Sequence, residues 1–257
     1  EEVDGYLRSR YGEELSGMTH RVIHTFGIPE SVLATRIQEV LPEDLGDVSL
    51  AYLPHQRGVR LRLSVRAFQD PSEAREALRR VEEILDPVVS PYVYRAPSGD
   101  LAEAVGNALL SKSWTLAVAE SCTGGLISKR ITDFPGSSRY FVGGIVAYHN
   151  EVKSGFLGID QGLLEAEGAV SERVAGAMAE GVAGSLGCSA GIGVTGIAGP
   201  GGGSKEKPVG TVCFAVSLPG ETVTRTQRFP GDRESVRERS GQAVLGLLLR
   251  LVEGRLE

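Results

Sequence analysis

The sequence predicts two α/β domains of unlike pattern, a small α+β module followed by a larger layered α/β/α domain. Three observations carry that prediction. Short alternating strands and amphipathic helices follow one another through residues 20–94 in the order βαββαβ, a Pro-Ser-Gly break interrupts them at RAPSGD (95–100), and longer helices then alternate with apolar strands. The break divides the chain into residues 1–96 and 97–257.

In the first module HRVIHTF (20–26) reads as a strand, SVLATRIQEVL (31–41) as a helix opened by a Ser cap, and DVSLAYL (47–53) as a second strand. In GVRLRLSVRAF (58–68), Val59, Leu61, Leu63 and Val65 alternate with polar or charged neighbours, as one buried strand face requires. PSEAREALRRVEEILDP (71–87) puts Ala74, Ala77, Leu78, Val81 and Leu85 on one helical stripe, and VVSPYVY (88–94) reads as an edge strand. This split βαβ order is also that of KH-like folds. Residues 1–95 nevertheless carry 12 Arg and no Lys against 16 Asp plus Glu, with no GxxG, so a structural or dimerising role is expected in place of RNA binding.

In the second domain a helix at LAEAVGNALLSK (101–112), started by Asp100, leads to the strand WTLAVAE (114–120) and a helix from the glycines at 124 and 125 to Thr132. RYFVGGIVAYHN (139–150) reads as a strand, NEVKSGFLG as a short helix capped by Asn150, and ERVAGAMAEGVAGSLG as a helix capped by Ser171. Strand SAGIGVT (189–195), the loop GIAGPGGGSKEKP (196–208), strands VGTVCFAVSL and TVTRTQRF, and a helix from Asp232 to Glu253 complete a sheet covered on both faces.

The net charge of −6 argues against a general nucleic-acid or anionic-membrane binder. Cysteines 122, 188 and 213 have no CxxC spacing and cannot all pair, which predicts a reducing, cytoplasmic setting. No apolar run approaches the ~20 residues that span a bilayer, and EEVDGYLRSR lacks the parts of a signal peptide, so a soluble, unexported protein is expected. Because the chain opens at Glu1, an upstream segment is also expected.

The chemistry concentrates in AESCTGGLISKR (119–130). Ser121 sits at a strand-to-helix turn, where amides around Cys122, Thr123 and Gly124 can hold an oxyanion, each donor contributing roughly 3 kcal/mol. Ser121 is equally a candidate cap. Cys122 is a rival nucleophile or a packing residue, since neighbouring side chains diverge. For a base, His149 has no evident carboxylate orienter, and Lys129 lies eight residues on, ~12 Å along a helix. Lys153 falls in the first turn of its helix, where the dipole disfavours an ammonium. Lowering a lysine from about 10.4 to 7 requires roughly 4–5 kcal/mol, of which a helix terminus supplies about 0.3–1, so burial must do most of it. Tyr148 can fix the amine or relay a proton through its hydroxyl; the plain alternative is a packed tyrosine and a solvated lysine.

The glycine loop, with Lys205 and Lys207, suits a phosphate or ribose or is a surface turn, and Arg233 is a further anion candidate. It is not a Walker A loop, and the literal GxGxxG of GIGVTG (191–196) is followed by no helix.

AESCTGG, AYHNEVK, GAVSE, VTGIAGPGGGSKEKPVGTV and FPGDRESVR, in that order, resemble the C-terminal domain of the CinA family (competence/damage-inducible protein A), known as nicotinamide mononucleotide amidase. The resemblance covers residues 98–253, and residues 1–95 look like the family's KH-type connecting domain. It implies that Ser121 attacks the carboxamide of nicotinamide mononucleotide, with Lys153 as base and Tyr148 assisting, releasing ammonia and then nicotinate mononucleotide in pyridine nucleotide (NAD) recycling. It implies substrate contacts from Cys122, Thr123, Gly124, Thr195, Gly196, Ile197, Ala198, Gly199 and Lys207, and a phosphate contact from Arg233. It implies no metal or other cofactor, a homodimer, and in longer relatives an N-terminal domain similar to molybdopterin-binding proteins and associated with ADP-ribose hydrolysis. Two alternatives stand beside it: a nucleotide- or partner-binding module without turnover, linked to competence or DNA damage, and a dinucleotide oxidoreductase resting on GIGVTG alone.

Overall fold

Alternation decides the first unit. The computed structural model describes residues 19–65 and 71–255 and divides between Tyr94 and Arg95. The first unit runs β1 (Thr19–Thr25), α1 (Glu30–Gln38), β2 (Val48–His55), β3 (Gly58–Val65), α2 (Pro71–Val89), a 3-10 turn at Ser90–Tyr92, and β4 (Val93–Tyr94). Its antiparallel sheet has the order β2-β3-β1-β4, with Leu61 opposite Ile23 on β1 and Tyr52 on β2. Val59, Leu61, Leu63 and Val65 are all buried and meet Ala74, Leu78, Val81 and Leu85 of α2, with Ala77 packed at the margin. Each such leucine withdrawn from water contributes about 1.5–3 kcal/mol. The expected βαββαβ order is therefore the observed one.

Details differ from the sequence reading. Ser31 does not cap α1: the helix starts at Glu30 behind Pro29, whose extended backbone (φ −65°, ψ 146°) sets the entry without a side-chain cap. The edge strand expected over 88–94 shrinks to Val93–Tyr94, because α2 runs on to Val89 and the 3-10 turn takes the next three residues. Residues 66–68 of the expected third strand, and the segment EEVDGYLRSR, lie outside the described residues.

The second unit runs α3 (Leu101–Ser111), β5 (Leu116–Glu120), α4 (Leu126–Thr132), β6 (Phe141–Val146), α5 (Asn150–Leu157), α6 (Gln161–Glu167), α7 (Glu172–Leu186), β7 (Ala190–Gly196), β8 (Thr211–Leu218), β9 (Glu221–Arg228) and α8 (Arg233–Val252). The sheet order is β6-β5-β7-β8-β9; β6, β5 and β7 are parallel, whereas β8 and β9 are antiparallel. Side-chain caps set several helix starts: Asp100 accepts from Ala102 N at 2.9 Å, Ser171 from Val174 N at 3.2 Å, and Asp232 from Ser235 N at 2.9 Å. The sequence reading missed α6, whose seven residues, capped by Asp160, span too few turns to show a period.

β5 steps to β6 on one side, and the chain then returns past β5 to β7. Right-handed crossovers in opposite directions place their helices on opposite faces. Accordingly α3, α4 and α8 pack together on one face, and α5, α6 and α7 on the other, giving the α/β/α sandwich. α7 lies directly on β7 because a Cβ at Gly191 or Gly193 would sit 2.0 Å from Ala179 O or 2.1 Å from Ala175 O. These glycines of GIGVTG thus serve helix-on-sheet packing.

Candidate functional site

Parallel pairing brings the ends of β5, β6 and β7 to one edge: Glu120 stands beside Val146 and Val194. From there the chain leaves β5 for α4 on one face and β6 for α5 on the other. Such a divergence opens a crevice beyond the strand ends, the usual ligand position in a sheet of this kind. Ser121 follows β5, Tyr148 and Lys153 follow β6, and Ile197–Gly199 follow β7.

The turn at Ser121 extends the sheet and then folds back. Ser121 N–H donates to Val194 O at 2.9 Å, Gly124 N–H to Ser121 O at 3.1 Å, and Leu126 N–H to Thr123 O at 3.2 Å. Gly124 and Gly125 hold φ of +59° and +93°, a left-handed pair that residues with a Cβ rarely adopt. Beneath them Glu120, fully buried, accepts from the amides of Gly125 (2.9 Å), Ile127 (3.1 Å) and Ser128 (2.8 Å), and from Ser128 Oγ (2.8 Å).

This arrangement corrects the expectation that Ser121 caps α4 or draws on its dipole. The cap position is Gly125, and the carboxylate of Glu120 takes the helix's positive end. The amides of Cys122 and Thr123 are left: neither donates to an oxygen among the described residues. Ser121, directly after β5, is buried at 8% exposure. The Cys122 thiol is pushed up to about 12, first by burial, with Glu120 adding and Arg233 and Arg237 opposing. A thiol in that state stays protonated near neutrality, and Cys122 is buried at the turn.

Lys153 lies on α5. His149, not Asn150, is the cap, and Asn150 is the first helical residue. Lys153 N–H already donates to His149 O at 3.2 Å, so this residue stands just past the open amides. Its side chain is 1% exposed, has no carboxylate partner among the described residues, and donates from Nζ to Tyr148 O at 3.3 Å. Burial holds its pKa below the usual 10.5, while nearby Cys122 acts in the opposite sense. The Tyr148 hydroxyl does not hold this amine: its ring is 60% exposed, and its oxygen accepts from Arg233 Nη2 at 3.1 Å.

Arg233 also donates from Nη1 to Gly199 O at 2.8 Å, joining the loop after β7 to the end of β6. Thr195 is buried and its Oγ1 donates to Ala169 O at 2.7 Å, fixing the segment before α7. Gly196, Ile197 and Ala198 continue from β7 toward Gly199; Ile197 exchanges hydrogen bonds with Thr211 O and Gly210 N, both at 2.8 Å. Lys207 does not stand free for a ligand, since its Nζ donates to Glu167 O at 3.0 Å, at the end of α6. Lys205 is exposed.

Two residues escaped the sequence reading. Glu120 is read there only as a strand end. Arg237 donates from Nε (3.1 Å) and Nη2 (2.7 Å) to Thr123 O. Its four-residue spacing from Arg233, one helical turn, was the available signal. Neither arginine has a carboxylate partner among the described residues, so two uncompensated positive charges border the crevice. Among the described residues no group of His, Cys, Asp and Glu could hold a metal ion.

Residues 98–252 match the CinA C-terminal domain and residues 20–94 the damage-inducible protein CinA KH domain. A CinA-like protein of Desulfotalea psychrophila is 42% identical over 90% of this chain and 55% of its own length. A putative competence-damage inducible protein of Moorella thermoacetica is 41% identical over 96% of this chain and 59% of its own. The chain therefore spans under two thirds of the length of these relatives. Among solved structures, competence/damage inducible protein CihA from Agrobacterium tumefaciens aligns with a TM-score of 0.58 at 37% identity, over 59% of this chain and 93% of its own. A competence or damage-inducible protein from Enterobacter asburiae aligns with a TM-score of 0.59 at 34% identity, over 62% and 99%.

Proposed function

The chain belongs to the CinA family, and we propose on that premise that its second unit hydrolyses the carboxamide of nicotinamide mononucleotide. The reading rests above all on Lys153: a fully buried amine without a carboxylate partner, held by the Tyr148 main-chain carbonyl and near enough to Cys122 of the serine turn to interact with it electrostatically. A buried lysine whose pKa is lowered gives up its proton more readily and can serve as a base, and a serine needs one. Lys153 Nζ takes the Ser121 proton as Oγ bonds to the carboxamide carbon. The oxyanion forms beside the amides of Cys122 and Thr123. The proton then passes to the departing nitrogen, ammonia leaves, and water cleaves the acyl-serine to give nicotinate mononucleotide and regenerate the hydroxyl. In this reading Arg233, exposed and without a carboxylate partner, contacts the 5′-phosphate, and its bond to Tyr148 and exposure support that role.

Ammonia release from the mononucleotide by wild type and Ser121→Ala tests the reading. Release by the wild type and its loss in the variant are expected; equal rates reject the nucleophile. Ligand binding with no product at any pH would favour the non-catalytic binding module instead.

A further inference from the structure

We infer that Arg237 is a positioning residue for the nucleophile turn: its guanidinium grips the Thr123 carbonyl and so fixes the amides of Cys122 and Thr123 relative to Ser121 Oγ. The inference rests on the amidase reading. Thr123 O receives three donors, Nε and Nη2 of Arg237 at 3.1 and 2.7 Å and Leu126 N–H at 3.2 Å. The same peptide plane carries Gly124 N–H, which donates to Ser121 O at 3.1 Å. A plane held at both ends cannot rotate, and Thr123 Cα transmits that constraint to the Thr123 amide one bond away.

α4 cannot supply this hold. Its first amides are engaged by Glu120 and by Thr123 O itself, so they follow the turn instead of restraining it from outside. Arg237 belongs to a separate helix and is half-buried, and a Cβ at Gly124 would already stand 3.4 Å from its Nη2. Its rigid fork places two donors on one oxygen, which a lysine's single ammonium cannot copy. Arg233, one turn earlier, grips a different pair, Gly199 O and Tyr148 Oη. One arginine sets the turn; the other faces solvent.

The test uses the full chain with Arg237→Met and Arg237→Lys, steady-state ammonia release, and amide hydrogen exchange over residues 121–128. In Arg237→Met, kcat is expected to fall roughly 30- to 100-fold, with KM within about two-fold. The Gly124 and Leu126 amides should exchange roughly tenfold faster, and Arg237→Lys should recover part of both. A rise in KM with kcat retained would make Arg237 a second phosphate ligand and overturn the inference, as would unchanged kcat. If the wild type releases no ammonia, the amidase reading fails alone, and the exchange comparison still decides: an unaltered turn in Arg237→Met overturns the positioning role.

Discussion

Two long cations lie out of water in the second unit, and the fold treats them in opposite ways. Arg130 on α4 is 2% exposed; its Nη2 donates to Asp100 Oδ1 at 2.8 Å and to Gln242 Oε1 at 2.9 Å. Lys153, 1% exposed, has a single carbonyl at 3.3 Å. The paired guanidinium ties three helices together, since Asp100 starts α3 and Gln242 belongs to α8. An unpaired ammonium in the same kind of place gives up its proton more readily. Both cations are buried, and the absence of a counter-charge among the described residues is what sets Lys153 apart from Arg130.

The largest effect should come from removing the unpaired member. Lys153→Met is expected to lower ammonia release roughly 10²- to 10⁴-fold, and to raise stability by about 0.5–2 kcal/mol in a thermal melt, because a polar group that costs free energy is gone. A loss of both activity and stability would place Lys153 in the scaffold and erase the contrast. Next, Asp100→Ala leaves Arg130 buried with no carboxylate and removes a helix cap, at an expected cost of about 3–5 kcal/mol in urea unfolding. Arg130→Met should cost less, about 1–2 kcal/mol, since Asp100 is 21% exposed and can turn to water. Equal costs would mean that the pair is not the organising interaction.

The smallest signals are those of pH. Lys153 has a folded pKa below its usual 10.5, so activity should fall as pH drops through that lowered value and the amine gains a proton. Over the window from the lowered pKa up to 10.5 the unfolded chain binds more protons than the folded one, so stability should rise with pH there. Subtracting the Lys153→Met profile isolates this contribution. A flat wild-type rate between pH 5 and 9 would remove the neutral amine from the chemistry.

Most of the architecture was legible because it follows from repeating local rules. Val59, Leu61, Leu63 and Val65 announce a one-faced strand, and the unbroken LAVA of β5 announces a strand covered on both faces. Asp100, Ser171 and Asp232 act at helix starts where their residue types predict. The burial of Lys153, which a helix end alone could not replace, is what the structure adds to the sequence's candidate lysine. What escaped depends on partners distant in sequence. Glu120 reads as the polar end of a strand until the chain folds back and offers it the amides of α4. Arg237 reads as one of several arginines in DRESVRER, and its acceptor is a carbonyl 114 residues earlier. The hydroxyl of Tyr148 accepts from Arg233, 85 residues on at the start of α8, and spacing along the sequence cannot reveal that partner.

The arginine clasp also has a place in time. Ser121, Tyr148 and Lys153 leave the ribosome well before Arg233 and Arg237, and at about 5–20 residues per second the interval between Ser121 and Arg237 is roughly 6–23 s. A nascent chain can thus hold Ser121 and Lys153 while the guanidinium that grips Thr123 has yet to be synthesised. Translation that stops short of residue 233 leaves those groups unclasped. Completion of α8 supplies the guanidinium whose two donors meet the Thr123 carbonyl.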